Sequence, residues 1–466
     1  MTLPKMRPLQ DFSRLMLVLI LPNLASSFVL DSECVAPAPC TCSGSNIQCS
    51  SKNLQTVPQF KHINISSNSL INIDLQGNYI TTIGPNAFCN LILSTLTTVY
   101  MQLYLNHMNS MSSSAFNCIG ANIFRLNMDV NNFSVLPQAL KSLVNLAELD
   151  IDTNPLTSLD SAVMSVIGRT LKTLHVDLSY FTTWPHEFRL LRTLNTLSIS
   201  HIRFPKLSTD AFHGMESTLR TLTIADSRLE RMPIAICHIQ NLRSLTFTSN
   251  HYLNLNTTVF DPCNKRFNYI TTLDISGNEL RNFPDIFHIF PEITILNLQE
   301  NKLGYIDGDL IPANNRLQSL YLSFNNFSRI PDVVNKLHSL TRLEMQYNHI
   351  GAIYDTDLQN LTALTRLVLF NNGLQSISSH AFRNNPKLNY LDLDDNLLHT
   401  ISSSITTLHS LSTLYLRNNH IECTCDLSHL KSWNVTSINS FTGNCDSSTE
   451  TLKHFLANAL PGCPKN

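Results

Sequence analysis

The chain has 466 residues, with 32 Lys and Arg against 34 Asp and Glu, for a formal net charge of −2 at neutral pH. That balance supplies no electrostatic basis for binding nucleic acid or an anionic membrane. Only 13 glycines are present, and none forms a phosphate-cradling loop, which removes the common nucleotide-binding classes. At the N-terminus, Lys5, Arg7 and Arg14 precede a short apolar run, Leu15 to Leu21, and Ala25-Ser26-Ser27 offers small residues for cleavage. The run is too short to span a bilayer, so residues 1–27 are predicted to be a removed secretory peptide. No other stretch suggests a membrane span, and the mature chain is expected outside the cell. Six N-x-S/T sequons fit that compartment, at Asn64, Asn132, Asn256, Asn326, Asn360 and Asn434. So do twelve cysteines, eight of them in two tight groups near the ends.

The first group is CVAPAPCTCSGSNIQC, with Cys34, Cys40, Cys42 and Cys49. After it the template L-x-x-L-x-L-x-x-N-x-L recurs, with its Asn position at 78, 106, 131, 154, 179, 202, 227, 250, 278, 301, 325, 348, 372, 396 and 419. These fifteen repeats, mostly 23 to 25 residues apart, fall in the range of leucine-rich repeats. We call them coils 1 to 15. In each, L-x-L is a short strand whose two apolar residues point into the coil while their neighbours point outward to a concave face. The Asn supplies donors and an acceptor to backbone groups of its turn and of the adjacent coil. One coil cannot cover its own apolar side, so the coils stack with a parallel sheet along the inner wall. The segment LDLDDN (391–396) looks at first like a calcium loop. However, the Gly and Glu such a loop needs are replaced by Leu397 and Ser403, so it reads as a repeat.

Several departures from regularity follow in chain order. Cys89 and Cys118 occupy similar places on coils 1 and 2, as Cys237 and Cys263 do on coils 7 and 8. Adjacent coils stack about 4.8 Å apart, near disulfide reach, so Cys89–Cys118 and Cys237–Cys263 are expected bridges. Asp129, Glu148, Asp150, Asp152 and Asp177 are outward residues of coils 3 to 5. They form an acidic patch that is either a solvated face, a site for a basic partner, or a calcium site. The Asn ladder lapses at Ser179, Ile202 and Ser227. Unless other backbone contacts compensate, the middle of the stack should be less regular there. Coils 6 to 8 carry small outward residues, such as Thr196, Ser198, Thr223 and Thr246. Coils 11 to 15 instead present Tyr321, Arg342, Glu344, Arg366, Phe370, Tyr390, Asp392, Asp394, Tyr415 and Arg417, with Phe324 and Tyr347 at the edge. Aromatic and Arg residues dominate binding hot spots, so this wall is the expected ligand face. Phe370 in particular should stand bare on its strand.

The chain closes with CTCDLSHLKSW, holding Cys423, Cys425 and Trp433, and later Cys445 and Cys463. The two terminal cysteine groups resemble the N- and C-terminal caps of extracellular leucine-rich repeat proteins, among them Slit proteins, Toll-like receptors, variable lymphocyte receptors and small leucine-rich proteoglycans. The resemblance covers roughly residues 34–463. It implies the bridges Cys34–Cys42, Cys40–Cys49, Cys423–Cys445 and Cys425–Cys463. It also implies an α/β solenoid, a horseshoe with a parallel β-sheet on its concave face and disulfide caps at both ends. The expected division is 1–27 signal peptide, 28–60 N-terminal cap, 61–421 repeats and 422–466 C-terminal cap.

No constellation of catalytic residues or metal ligands stands out. His186-Glu187 begins an H-E-x-x-H motif whose second His is absent, and His175 beside Asp150 reads as a structural ion pair. No enzyme activity and no cofactor are expected. The leading expectation is a secreted binding protein that holds an extracellular protein or glycan on its concave face, in immune recognition or cell-surface signalling. The alternative is a matrix component or the non-catalytic subunit of a secreted enzyme.

Overall fold

The computed structural model describes residues 34–65, 68–229, 232–250, 266–446 and 448–463. The expected signal peptide therefore lies outside the described residues, as do Asn256 and Cys263. No helix among the described residues is long and apolar enough to cross a membrane.

Among the described residues, one 18-stranded sheet extends from Thr41 to Thr442. It begins with an antiparallel hairpin, Thr41–Ser43 and Asn46–Gln48, whose second strand pairs in parallel with Leu70–Asp74 of coil 1. From there every addition is parallel, ending at Ser440–Thr442 beyond coil 15. The register follows the repeat: Leu149, Leu174, Leu197, Leu222 and Leu245 pair across successive strands, and so do Leu343, Leu367, Leu391 and Leu414. These leucines belong to one continuous buried core that extends from Val35 to Leu460. A one-residue slip would turn this whole set outward, so the register is strongly specified.

The return side of each coil is short and varied. Four 3₁₀ turns start after a proline, at Pro137, Pro185, Pro233 and Pro331, where the ring presets the backbone for the turn. A two-turn α-helix, Ser161–Ile167, is capped by Asp160, whose carboxylate accepts from the Val163 amide at 2.8 Å. Nearer the N-terminus, Phe60, Phe88 and Phe116 form a row in the core with ring centroids 5.7 and 5.8 Å apart. Two further asparagines are buried on this side, a feature the repeat template does not signal. Asn335 donates to the Thr356 and Asp357 carbonyls, and Asn385 to those of Leu358 and Leu361.

The ladder works as the repeat implies. Asn396 donates to the carbonyls of Leu369, Leu393 and Asp394, while its oxygen accepts from the amides of Asn372 and Leu374. LDLDDN is thus a turn of the solenoid. A second regularity accompanies the ladder: in fourteen of the fifteen coils the residue before the ladder position has positive φ. Bulky residues adopt it as well, Leu105, Val130, Phe324 and Tyr347 among them. The exception is Leu178, before Ser179.

The expectation of a less regular middle holds at the turn before Ser179, where Leu178 departs from the shared positive φ, but not in the strand pairing. Where the Asn ladder lapses, the strands Thr173–Asp177, Thr196–Ser200, Thr221–Ala225 and Ser244–Thr248 pair residue for residue. Ser227 replaces part of the ladder, since its hydroxyl donates to Ala225 and accepts from the Ile202 amide. Interstrand backbone bonds hold the sheet without the rest. The sheet's irregularity lies instead in coil 2, as a bulge between Val99 and Tyr100.

Disulfides join Cys34 to Cys42, Cys40 to Cys49, Cys89 to Cys118, Cys423 to Cys445 and Cys425 to Cys463. Cys237 is also disulfide-bonded. Its expected partner, Cys263, is one of the residues not described.

Candidate ligand face

The outward residues of coils 11 to 15 come together as two joined networks. In register, Tyr321 pairs with Glu344, Glu344 with Val368, Val368 with Asp392, and Asp392 with Tyr415. The neighbouring row runs from Ser319 through Arg342, Arg366 and Tyr390 to Thr413. Glu344 holds both guanidinium groups, Arg342 at 2.7 Å and Arg366 at 3.1 Å. Arg342 lies 5.3 Å from the Tyr321 ring centroid and Arg366 only 3.5 Å from that of Tyr390. Tyr390 in turn meets Tyr415 edge to face at 5.6 Å. Arg417 completes the row. Its side chain bonds to Asp394 at 2.7 Å, its amide donates to the same carboxylate, and its guanidinium sits 5.7 Å from the Tyr415 centroid.

Three of the expected ligand residues are corrected by this geometry. Tyr321, Glu344 and Asp394 are only 8%, 6% and 3% exposed. Outward placement on a strand does not guarantee exposure, because Arg side chains from the next coil lie over them. They act as the supporting layer that fixes the arginines. Burial also pushes the Asp392 carboxyl and the Tyr390 phenol above their ordinary values. Phe370 is corrected too. It is half-buried and packs edge-on to Tyr347 at 5.0 Å, and Tyr347 stacks on Phe324 at 4.2 Å. What the wall offers to solvent is the arginine heads and the Phe324–Tyr347 pair. Ser323 and Gln346, in the turns of adjacent coils next to that pair in the chain, each keep a buried polar atom without a hydrogen-bond partner among the described residues. The repeat template gives no sign of this.

The acidic patch of coils 3 to 5 is knitted into the protein. Glu148 pairs with Arg125 at 2.9 Å and Asp150 with His175 at 3.7 Å. The Asp152 carboxylate accepts from Ser200, and Asp129 accepts from the Asp152 amide. Asp177 is buried, contrary to the expectation of an open acidic side chain, and bonds to His201 at 3.1 Å and to Ser179. Among the described residues, no group of three or more His, Cys, Asp or Glu is placed to hold a metal ion. His186-Glu187 lies in a 3₁₀ turn, with Glu187 receiving the Ser161 hydroxyl.

The Asp177–His201 pair gives a pH prediction. The bond to Asp177 raises the His201 pKa above its ordinary 6.5. Burial opposes ionisation of Asp177, yet bonds from His201 and Ser179 take its pKa below 3.8. A raised histidine stabilises the fold fully below 6.5 and loses that contribution as pH climbs through its folded value. A depressed carboxylate stabilises above 3.8 and loses its contribution as pH falls through its folded value. The pair's contribution should therefore be greatest between these limits. Urea midpoints across pH should fall on the alkaline side in the wild type and flatten there in His201→Gln.

The described sequon asparagines, Asn64, Asn132, Asn326, Asn360 and Asn434, are all exposed.

Residues 291–350, 315–374 and 362–421 match a family described as Leucine rich repeat, and residues 69–91 match a second family of that description. Residues 37–59 match the Leucine rich repeat N-terminal domain. No curated protein matches the chain. Among solved structures, the chain is similar to one from the Drosophila Toll–Spatzle complex at 17% identity and a TM-score of 0.59. The match covers 81% of this chain and 55% of that one, so the chain spans little more than half of its length. It is also similar to the mouse RP105/MD-1 complex structure, at 18% identity and a TM-score of 0.52, covering 86% of this chain and 77% of that one. At such identities the likeness concerns the fold alone.

Proposed function

We propose that this leucine-rich repeat solenoid is a secreted, non-enzymatic binding protein. Its ligand, an extracellular protein or glycan, is held on the concave face of coils 11 to 15. The observation that carries this reading is the arginine–aromatic wall already locked in place. Arg342 and Arg366 share Glu344, and both rest on tyrosine rings. Side chains fixed before binding lose little conformational freedom on contact, which is how Arg and Tyr anchors gain affinity. The likeness to Toll and RP105, both solved as complexes, agrees with a recognition role in immune or cell-surface settings. Residues 1–27 as a removed signal peptide, 28–60 and 422–466 as caps, and occupied sequons belong to the same proposal.

Affinity purification of the secreted protein with mass spectrometry tests it. A partner captured by the wild type should be lost about tenfold or more with Arg366→Ala or Tyr347→Ala. Retention by both variants, with loss on substitution of Asp152 or Glu148, would place the ligand at coils 3 to 5 instead.

A further inference from the structure

A groove of about 670 Å³ opens on the flank of coils 11 to 13, away from the concave wall, lined in part by Ser328, Gly351, Tyr354, Gln375 and Ser376. It is open because coil 12 places small residues there: a Cβ added at Gly351 would meet nothing within 4 Å. Arg329 also lines it, but its guanidinium is held by Asp332 at 2.7 Å and by the fully buried Asp357 at 3.2 Å. The groove therefore offers hydroxyls, an amide and the half-exposed ring of Tyr354, whose centroid lies 5.8 Å from the Arg329 guanidinium, a cation already paired with two carboxylates. That lining suits a neutral, polyhydroxylated ligand: an aromatic ring for a sugar's apolar face, and Ser and Gln groups for its hydroxyls.

One sugar source is built into the chain. Ser328 is the hydroxyl residue of the sequon Asn326-Phe327-Ser328. Asn326 and Ser328 are exposed and Phe327 between them is buried. The two exposed residues thus lie on the same flank, no more than about 7 Å apart along the chain. We propose that Asn326 carries an N-linked glycan whose first sugars seat in this groove against Tyr354. The proposal rests on the reading of the chain as a secreted glycoprotein.

Coil 3 supplies an internal comparator, because Asn132 lies in the same four residues, Asn-Asn-Phe-Ser. There the next coil packs onto the sequon: Thr157 donates its amide and its hydroxyl to the Ser134 carbonyl, and Val135 bridges Ser158. A glycan at Asn132 is therefore expected to stay unseated.

The test uses the full chain secreted from a eukaryotic host, digested natively with peptide N-glycosidase and followed site by site by mass spectrometry. Release at Asn326 should be several-fold slower than at Asn132, and the two should match after denaturation. Gly351→Leu fills the groove from an open position and should erase the difference. Tyr354→Ala, at an exposed ring, should act in the same direction. Equal native rates in the wild type, a bare Asn326 beside an occupied Asn132, or protection that survives both substitutions would each overturn the proposal. Bare asparagines at every sequon would overturn the glycoprotein reading as well, so the two failures are distinguishable.

Discussion

Asn396→Ala should destabilise the protein by about 3 kcal/mol. The loss strands two buried donors, the Asn372 and Leu374 amides, and removes one partner from three carbonyls. A buried donor left unpaired costs about 1–3 kcal/mol, whereas a carbonyl can use its second lone pair at less expense. Ser227→Ala should cost only about 1 kcal/mol on the same reasoning, because it strands a single amide, that of Ile202. The measurement pairs urea midpoints with hydrogen exchange at Asn372 and Leu374, whose amides should lose protection in Asn396→Ala. Equal midpoints for the two variants would mean that leucine packing alone holds the coils together.

The contrast between those two positions shows which parts of the fold are legible in the sequence. A 23-to-25-residue period with leucine and Asn at fixed offsets determines which side chains face inward, and Leu343, Leu367, Leu391 and Leu414 pair accordingly. Alternation cannot say which outward residues reach solvent. Tyr321, Glu344 and Asp394 point outward and are still buried, because Arg342, Arg366 and Arg417, each one coil further on, fold over them. That depends on cross-strand neighbours some 23 residues distant and on side-chain length, neither of which a single repeat displays. The turn before each ladder Asn is a related case. At Gly77, Gly277 and Asn371 the residue type announces positive φ, but at Phe324 and Tyr347 only the position does. Left-handed backbone is costly for bulky side chains and persists where surrounding structure imposes it. Here the Asn ladder on one side and the Phe324–Tyr347 stack on the other impose it. Two strained, exposed aromatics therefore stand beside the arginine wall, where chain type alone would favour Gly or Asn.

Removing the Cys425–Cys463 bridge by a double Ala substitution should cost about 4 kcal/mol, given the 38-residue separation it closes. The cost should not be spread evenly. In a stack each coil rests chiefly on its neighbours, so losing a cap frays the nearest coils first. The strand Thr413–Tyr415 of coil 15 pairs on its far side with Ser440–Thr442, which lies between Cys425 and Cys463. Once that strand loosens, Tyr415 and Arg417 lose their positions, and Tyr390 loses the edge contact that Tyr415 supplies. At the other end, Cys34–Cys42 closes a separation of 8, and its removal should cost nearer 2–3 kcal/mol, felt first at coils 1 and 2. The two double variants thus separate the two candidate faces without touching either one. If the ligand sits on coils 11 to 15, loss of Cys425–Cys463 should weaken capture of the partner at temperatures where the rest of the chain is still folded. Loss of Cys34–Cys42 should leave capture intact. The reverse pattern would move the binding face to the acidic residues Glu148, Asp150 and Asp152, whose coil lies nearer the N-terminal cap.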